Sequence, residues 1–317
     1  SQAQNQAQNQ AQNQAQGNTG VPLVTLDVSP NQREFVTGSA NGQIQRWDWS
    51  GNALGSFAAH KGAVYDLAYS PDGTRLVSGG GDGVGYLWSL EGQRLTTLAG
   101  HEAIVSSVTF SPDGQTLATG DYQGQVRLWT SSGAFRRTFT AHTGGGDQSR
   151  ILGLAFSGDS QLLGTSSADG TARLWSMDGR KLNEFQGHQD WIYGLAFNPD
   201  QTRLVTAGRD GMARIWDLTP HPQREVLAHP DRILTIATSA QRGQVATGST
   251  NGSIYLWSVE GQPLNTLQGH RGWVLALDYS SSGDQLASAG SDGTIQLWRV
   301  TDNKQQRIQV IQAQQGW

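Results

Sequence analysis

The chain has 317 residues, a net charge of -4 and only 15% charged residues, with 22 Lys and Arg against 26 Asp and Glu. The basic residues are scattered, which argues against nucleic acid as a partner, and no apolar run approaches the ~18 residues that insertion in a membrane requires. The absence of cysteine excludes disulfides, thiolate zinc sites and a cysteine nucleophile.

Residues 1–16 repeat the tetrapeptide A-Q-N-Q, which offers no aromatic or branched apolar side chain to offset the entropy of ordering. Residues 1–20 therefore read as a low-complexity flexible tail, closed by the turn cluster Gly17-Asn18-Thr19-Gly20. Residues 21–317 read as one folded body. Seven tryptophans recur there, Trp47, Trp88, Trp129, Trp175, Trp216, Trp257 and Trp298, at spacings of 41, 41, 46, 41, 41 and 41. A period near 41 residues matches one four-stranded propeller blade, so the expected fold is all-β, a seven-bladed β-propeller of four-stranded antiparallel blades.

The second repeat shows the elements. Val64–Tyr69 alternates large and small residues, Ser70-Pro71-Asp72-Gly73 turns the chain, and Arg75–Ser78 follows. Asp82-Gly83 turns again before Gly85–Trp88 and Arg94–Leu98. In the first strands, Leu26, Leu67, Val108, Leu154, Leu195, Ile236 and Leu277 share one position, with Val28, Tyr69, Phe110, Phe156, Phe197, Thr238 and Tyr279 two residues on. These rows should pack blade against blade. The alternate row holds Thr25, Asp66, Ser107, Gly153, Gly194, Thr235 and Ala276, small or polar residues suited to a crowded central channel, with Asp66 as its only ionisable member. Blade 1 should begin at Leu23, and Arg307–Ile311 should supply the fourth strand of blade 7. Closure then needs no N-terminal strand, and the rival donor Asn13–Gln16 is polar throughout.

The segments Ala99-Gly100-His101, Ser111 to Gly114, Leu117 to Gly120 and Arg127 to Trp129 together resemble the repeats of the WD40 family of β-propellers, bacterial ones especially. The resemblance implies a hydrogen-bonded set of His, Ser or Thr, Asp and Trp in each blade. Four blades carry all four members: His60, Ser78, Asp82 and Trp88; His142, Thr165, Asp169 and Trp175; His188, Thr206, Asp210 and Trp216; His270, Ser288, Asp292 and Trp298. Blades 3 and 6 place Gln123 and Asn251 at the Asp position, and blade 1 places Asn41 and Thr19 at the Asp and His positions. These blades are expected to be looser, with opening beginning at blade 1.

Six of the seven histidines recur one per blade, so they cannot converge on one ion, and no metal site or cofactor is expected. His221, between Pro220 and Pro222, reads as a surface residue. The glycine run 79–81 precedes a strand rather than a helix, which leaves no helix N-terminus to hold a phosphate. No hydrolase elbow, H-E-x-x-H or Walker lysine occurs, and the chain is read as no enzyme.

The residue just before each first strand varies around the ring: Pro22, Ala63, Ile104, Arg150, Trp191, Arg232 and Trp273. Trp and Arg are the residues most enriched at binding hot spots. With Tyr122 and Arg209 from neighbouring turns, Arg150, Trp191, Arg232 and Trp273 form the expected partner-binding set. Tyr65 and Tyr193 are left to blade packing. The one insertion, five residues within Thr143 to Arg150, enters the same face and carries Gly144–Gly146. The expected function is a non-catalytic scaffold, monomeric on its own, that binds a protein or peptide on this face. The alternatives are a sensor or targeting module of a larger signalling protein, or an assembly factor. The cytoplasm is the expected compartment, with export after signal-peptide removal as the alternative.

Overall fold

A computed structural model describes residues 21–198, 200–218, 224–301 and 304–313. The tail, with Asn13–Gln16 and Thr19, and His221 lie outside the described residues.

Seven four-stranded antiparallel sheets follow one another along the chain, each built from four consecutive strands. The first strands, from Leu23–Val28 through Val64–Tyr69 to Val274–Tyr279, sit side by side in a closed ring, so the first blade meets the last. Blade 7 ends in Lys304–Gln312, paired along Thr294–Thr301. Among the described residues no strand crosses from one blade to another, as the expected closure requires.

The turns are encoded locally. Gly124 in the turn between second and third strands has φ 79°, and a Cβ there would stand 2.1 Å from the His142 carbonyl oxygen. Only glycine fits that left-handed, crowded position.

The core lies between blades rather than within them. Leu67, Tyr69, Leu76 and Trp88 of blade 2 pack on Val36 and Ile44 of blade 1. Val105, Val108, Phe110 and Trp129 of blade 3 pack on Val77, Leu87 and Leu98 of blade 2. The ring closes in the same way, with Leu26, Val28 and Trp47 of blade 1 against Ile295, Leu297 and Ile311 of blade 7. Between blades 5 and 6, among the described side chains, Val205, Ile215, Val245 and Trp257 pack together beside Ala207, Ala213 and Ile233, with Ile236 against both groups.

The channel row carries more charge than Asp66 alone. Asp27 and Asp278 occupy the next inward position of blades 1 and 7, so the reading of Asp66 as the sole ionisable channel residue is corrected. The three carboxylates stitch neighbouring inner strands. Asp278 accepts the Val28 N–H at 2.8 Å, Asp27 accepts the Tyr69 N–H at 2.6 Å, and Asp66 accepts the Val108 N–H at 2.9 Å and the Ser107 hydroxyl at 3.0 Å. Each keeps a sliver of surface toward the channel but is enclosed on every other side, and burial dominates its titration. Burial pushes Asp66 and Asp278 up to about 6, and burial reinforced by the Asp278 charge raises Asp27 well above its ordinary value.

Among the described residues the single helix is a short 3-10 turn at Gly146–Ser149, and no helix is long and apolar enough to cross a membrane.

Candidate functional site

The hydrogen-bonded sets come first, because they hold the loops that carry the site. In all seven blades the indole N–H donates to the Ser or Thr hydroxyl of the second strand, from Trp47 to Thr37 at 3.0 Å through Trp216 to Thr206 at 2.8 Å and Trp298 to Ser288 at 2.9 Å. The four complete blades also link His Nε2 to that hydroxyl and Nδ1 to the Asp, as at His60, with Ser78 at 2.7 Å and Asp82 at 2.9 Å. A buried imidazole needs partners at both nitrogens, and each one left unmatched costs ~1–3 kcal/mol. Burial works to raise the Asp210 carboxyl, but the hydrogen bonds from His188 and the Gln189 N–H hold it down at about 2. Burial lowers His60 and His142 despite their Asp partners.

Blade 3 is complete by another route, which corrects the reading of Gln123 as a lost partner. Asp121, at the end of the second strand, stands 2.6 Å from His101 Nδ1 and also accepts the Gln123 and Gln125 N–H groups at 2.9 Å. The equivalent position holds Gly80, Ser167, Gly208 and Gly290 in the four blades that use the turn Asp. The carboxylate has moved two residues back along the chain, and the expectation of a looser blade 3 is withdrawn.

Blade 1 ties Ser39 Oγ to Asn41 at 2.6 Å. In blade 6, His229 Nε2 lies 3.1 Å from Thr247 Oγ1, but Asn251 turns its Nδ2 to the Tyr255 hydroxyl at 3.0 Å and leaves His229 Nδ1 without a partner. Burial alone carries His229 down to about 4.

Each entering loop is fixed to the turn of its own blade. The turn N–H groups of Ala40, Gly81, Tyr122, Ala168, Arg209, Thr250 and Ser291 donate to the carbonyls of Pro22, Ala63, Ile104, Arg150, Trp191, Arg232 and Trp273, at 2.7–3.1 Å. The variable residues and the turns therefore stand at one end of the ring.

Four of the six sequence-derived residues meet in a stack. The Arg150 guanidinium lies 4.5 Å from the Tyr122 ring centre and 5.6 Å from that of Trp191, and the Arg209 guanidinium lies 5.3 Å from that of Trp191. Cations over aromatic faces attract by ~0.5–1 kcal/mol each at exposed sites. Tyr65 and Tyr193, set aside in the sequence, extend the stack, Tyr65 at 5.8 Å from Tyr122 and Tyr193 at 6.0 Å from Trp191. Their common position in the first strand was the available signal. Burial, with Tyr65 beside it, pushes the Tyr122 phenol up to about 12.

Arg232 and Trp273 stand apart from the stack. With Arg209 they line an open depression of about 500 Å³ over blades 5 to 7, floored by His229 and Thr250. Trp273 is 52% exposed.

The insertion sets the position of Arg150. Its second half folds as the 3-10 turn, Ser149 donates its hydroxyl to the Tyr122 carbonyl at 3.2 Å, and Ser167 donates to the Gln148 carbonyl at 3.2 Å. Asp147 pairs with the Arg150 guanidinium. A side chain added at Gly145 or Gly146 would meet open space.

A family model described as the IFT122 first β-propeller matches residues 22–258, and one described as WD domain, G-beta repeat, matches residues 261–299. No curated protein matches the chain at a significant level.

Proposed function

Since the chain belongs to the WD40-repeat β-propeller family, we propose that it is a non-catalytic scaffold that binds a peptide or protein surface on the face of its entering loops. The observation that carries this reading is the continuous stack from Tyr65 through Tyr122, Arg150 and Trp191 to Arg209. Stacked rings and guanidinium planes hold one another in place, so little side-chain entropy remains to be lost on binding. Arg232 and Trp273 continue the surface across the depression. Trp and Arg together are the typical anchors of protein interfaces. The carboxylates of the channel accept backbone N–H groups of the neighbouring strands, a structural use.

The test is a pull-down from source-cell lysate with the wild-type chain beside a Trp191→Ala/Trp273→Ala variant, both first shown to be folded by circular dichroism. A partner lost only by the variant supports binding on this face. A partner kept by both places the site elsewhere on the molecule.

A further inference from the structure

The seven blade tryptophans spend their indole N–H groups on Ser or Thr hydroxyls, and the Trp49 indole N–H is buried. Trp191 and Trp273 differ. Neither indole N–H bonds to a described residue, and neither is enclosed. Their backbones, by contrast, are fixed. The Trp191 backbone N–H donates to Asp190 Oδ1 at 2.9 Å and its carbonyl accepts the Arg209 N–H at 2.7 Å, while the Trp273 backbone N–H donates to Ser291 Oγ at 2.8 Å and its carbonyl accepts the Ser291 N–H at 2.9 Å. Two unspent indole donors therefore stand on anchored backbone at the face of the entering loops.

The rest of that face restricts what they can hold. In every blade the turn N–H is already bonded to the carbonyl before the first strand, and the first and fourth strands put the free edges of each sheet at the channel and the outer rim. A peptide on this face cannot add as a further strand and has to be held by side chains. The charges also balance. Asp147 pairs with Arg150, Asp190 stands 3.6 Å from Arg209, and Asp210 and Asp231 line the depression together with Arg209 and Arg232. A segment with net charge of either sign gains little here.

Polyproline II is the extended conformation without hydrogen bonds of its own, so its carbonyls are open to side-chain donors and its pyrrolidine rings can lie on aromatic faces. We propose that the entering-loop face takes an uncharged, proline-bearing segment of the partner in this conformation, with Trp191 and Trp273 donating their indole N–H groups to its carbonyls and its rings lying against Trp273 and the stack from Tyr65 to Arg209. Pro230 lines the depression beside Trp273 and adds apolar surface there. A segment that is extended before it binds loses little backbone entropy, and the stacked side chains that receive it lose little of theirs. The proposal rests on the reading of this face as a protein-binding surface and names the chemistry of the segment it recognises.

The experiment is NMR on the full chain, isotope-labelled in its tryptophans, with the two indole N–H signals assigned through Trp191→Phe and Trp273→Phe. The probe is acetyl-Ala-Pro-Pro-Ala-Pro-Pro-Ala-amide, compared with the same peptide carrying Ala at every Pro and with versions carrying Glu or Lys at every Ala. The proline probe should move both indole signals saturably, with the all-alanine peptide at least about tenfold weaker. Each Phe variant keeps a ring and deletes the donor, and should weaken the probe by about fivefold. Trp191→Ala/Trp273→Ala, shown to be folded by circular dichroism, should abolish binding. Signals that do not move, equal binding of the all-alanine peptide, full binding by both Phe variants, or tighter binding of the Glu or Lys version would each overturn the assignment. A partner released by Trp191→Ala/Trp273→Ala but not displaced by the proline probe removes the proline reading and leaves the scaffold reading standing. Probe binding at the two indoles with a partner indifferent to the Trp variant does the reverse.

Discussion

Asp121 is 1% exposed and satisfies His101 and two turn N–H groups at once, so Asp121→Ala removes the acceptor of all three. We expect a loss of about 2–3 kcal/mol in chemical denaturation. Gln123→Ala, at the position the repeat assigns to the carboxylate, should stay within about 0.5 kcal/mol; equal losses would return the role to Gln123. The channel acids predict a pH effect of the less usual sign. Asp66 and Asp278 titrate near 6 when folded against 3.8 otherwise, so between about pH 4 and 6 the folded chain holds protons that the unfolded chain has released. Their stabilisation is complete on the acid side and is lost as pH rises through 6. His229 opposes this, since its folded value of about 4 lies below 6.5 and the unfolded chain takes up the proton first as pH falls. Asp210 and Asp292, held at about 2, lose their contribution only as pH drops below about 4. Because these windows overlap, the clean measurement is the Tm difference between Asp278→Asn and wild type. It should move in the variant's favour from pH 4 to 6 and then level off, and a constant difference would contradict the assignment. The sequence exposed Asp66 because it breaks a row of small residues. It hid Asp27 and Asp278, because their row is otherwise mostly alanine and only the ring brings residues 251 positions apart into contact.

At the scale of the strand, the fourth member of each blade is an outer edge with its own pattern. Leu54, Leu95, Leu182 and Leu264 are 42–47% exposed, whereas Leu98, at the end of the same strand as Leu95, is fully buried against blade 3. Leu95→Lys should leave Tm nearly unchanged and reduce edge-to-edge association, since a charge on an edge strand discourages pairing with another chain. Leu98→Ala should cost about 2–5 kcal/mol through the cavity it leaves. Comparable losses at the two sites would mean that the edge is covered in solution. Strands of this kind were readable from alternation and turn chemistry. Val64–Tyr69 and Arg94–Leu98 have the expected bounds, and the second strand runs on to Gly80 only because its last two residues pair with the turn-flanking residues Asp66 and Val64. The stack on the face was half legible. The variation of Arg and Trp before the first strands marked two of its members, Arg150 and Trp191, but periodicity alone could not show Tyr65 meeting Tyr122 across a blade boundary.

For the whole molecule, two seams differ in kind. The seam between blades 5 and 6 has no channel carboxylate bridging its inner strands among the described hydrogen bonds. Native-state hydrogen exchange should show the second strands of blades 5 and 6 opening sub-globally before those of blades 7 and 1; the opposite order would mean that the Asp278 bridge counts for little. The seam between blades 7 and 1 has a large shared core and that bridge, but among the described residues no strand shared between blades. Its resistance depends on the direction of the load. Heat tests side-chain packing around the whole ring, whereas tension applied at residues 21 and 313 bears directly on a joint without a backbone clasp. Pulled in this way in optical tweezers, the ring should part first at that joint and then release one blade at a time from either end, each event lengthening the tether by about 140 Å, the extended length of a 41-residue repeat. Built as a stack of self-contained blades, the protein would yield under load like a chain of equal links.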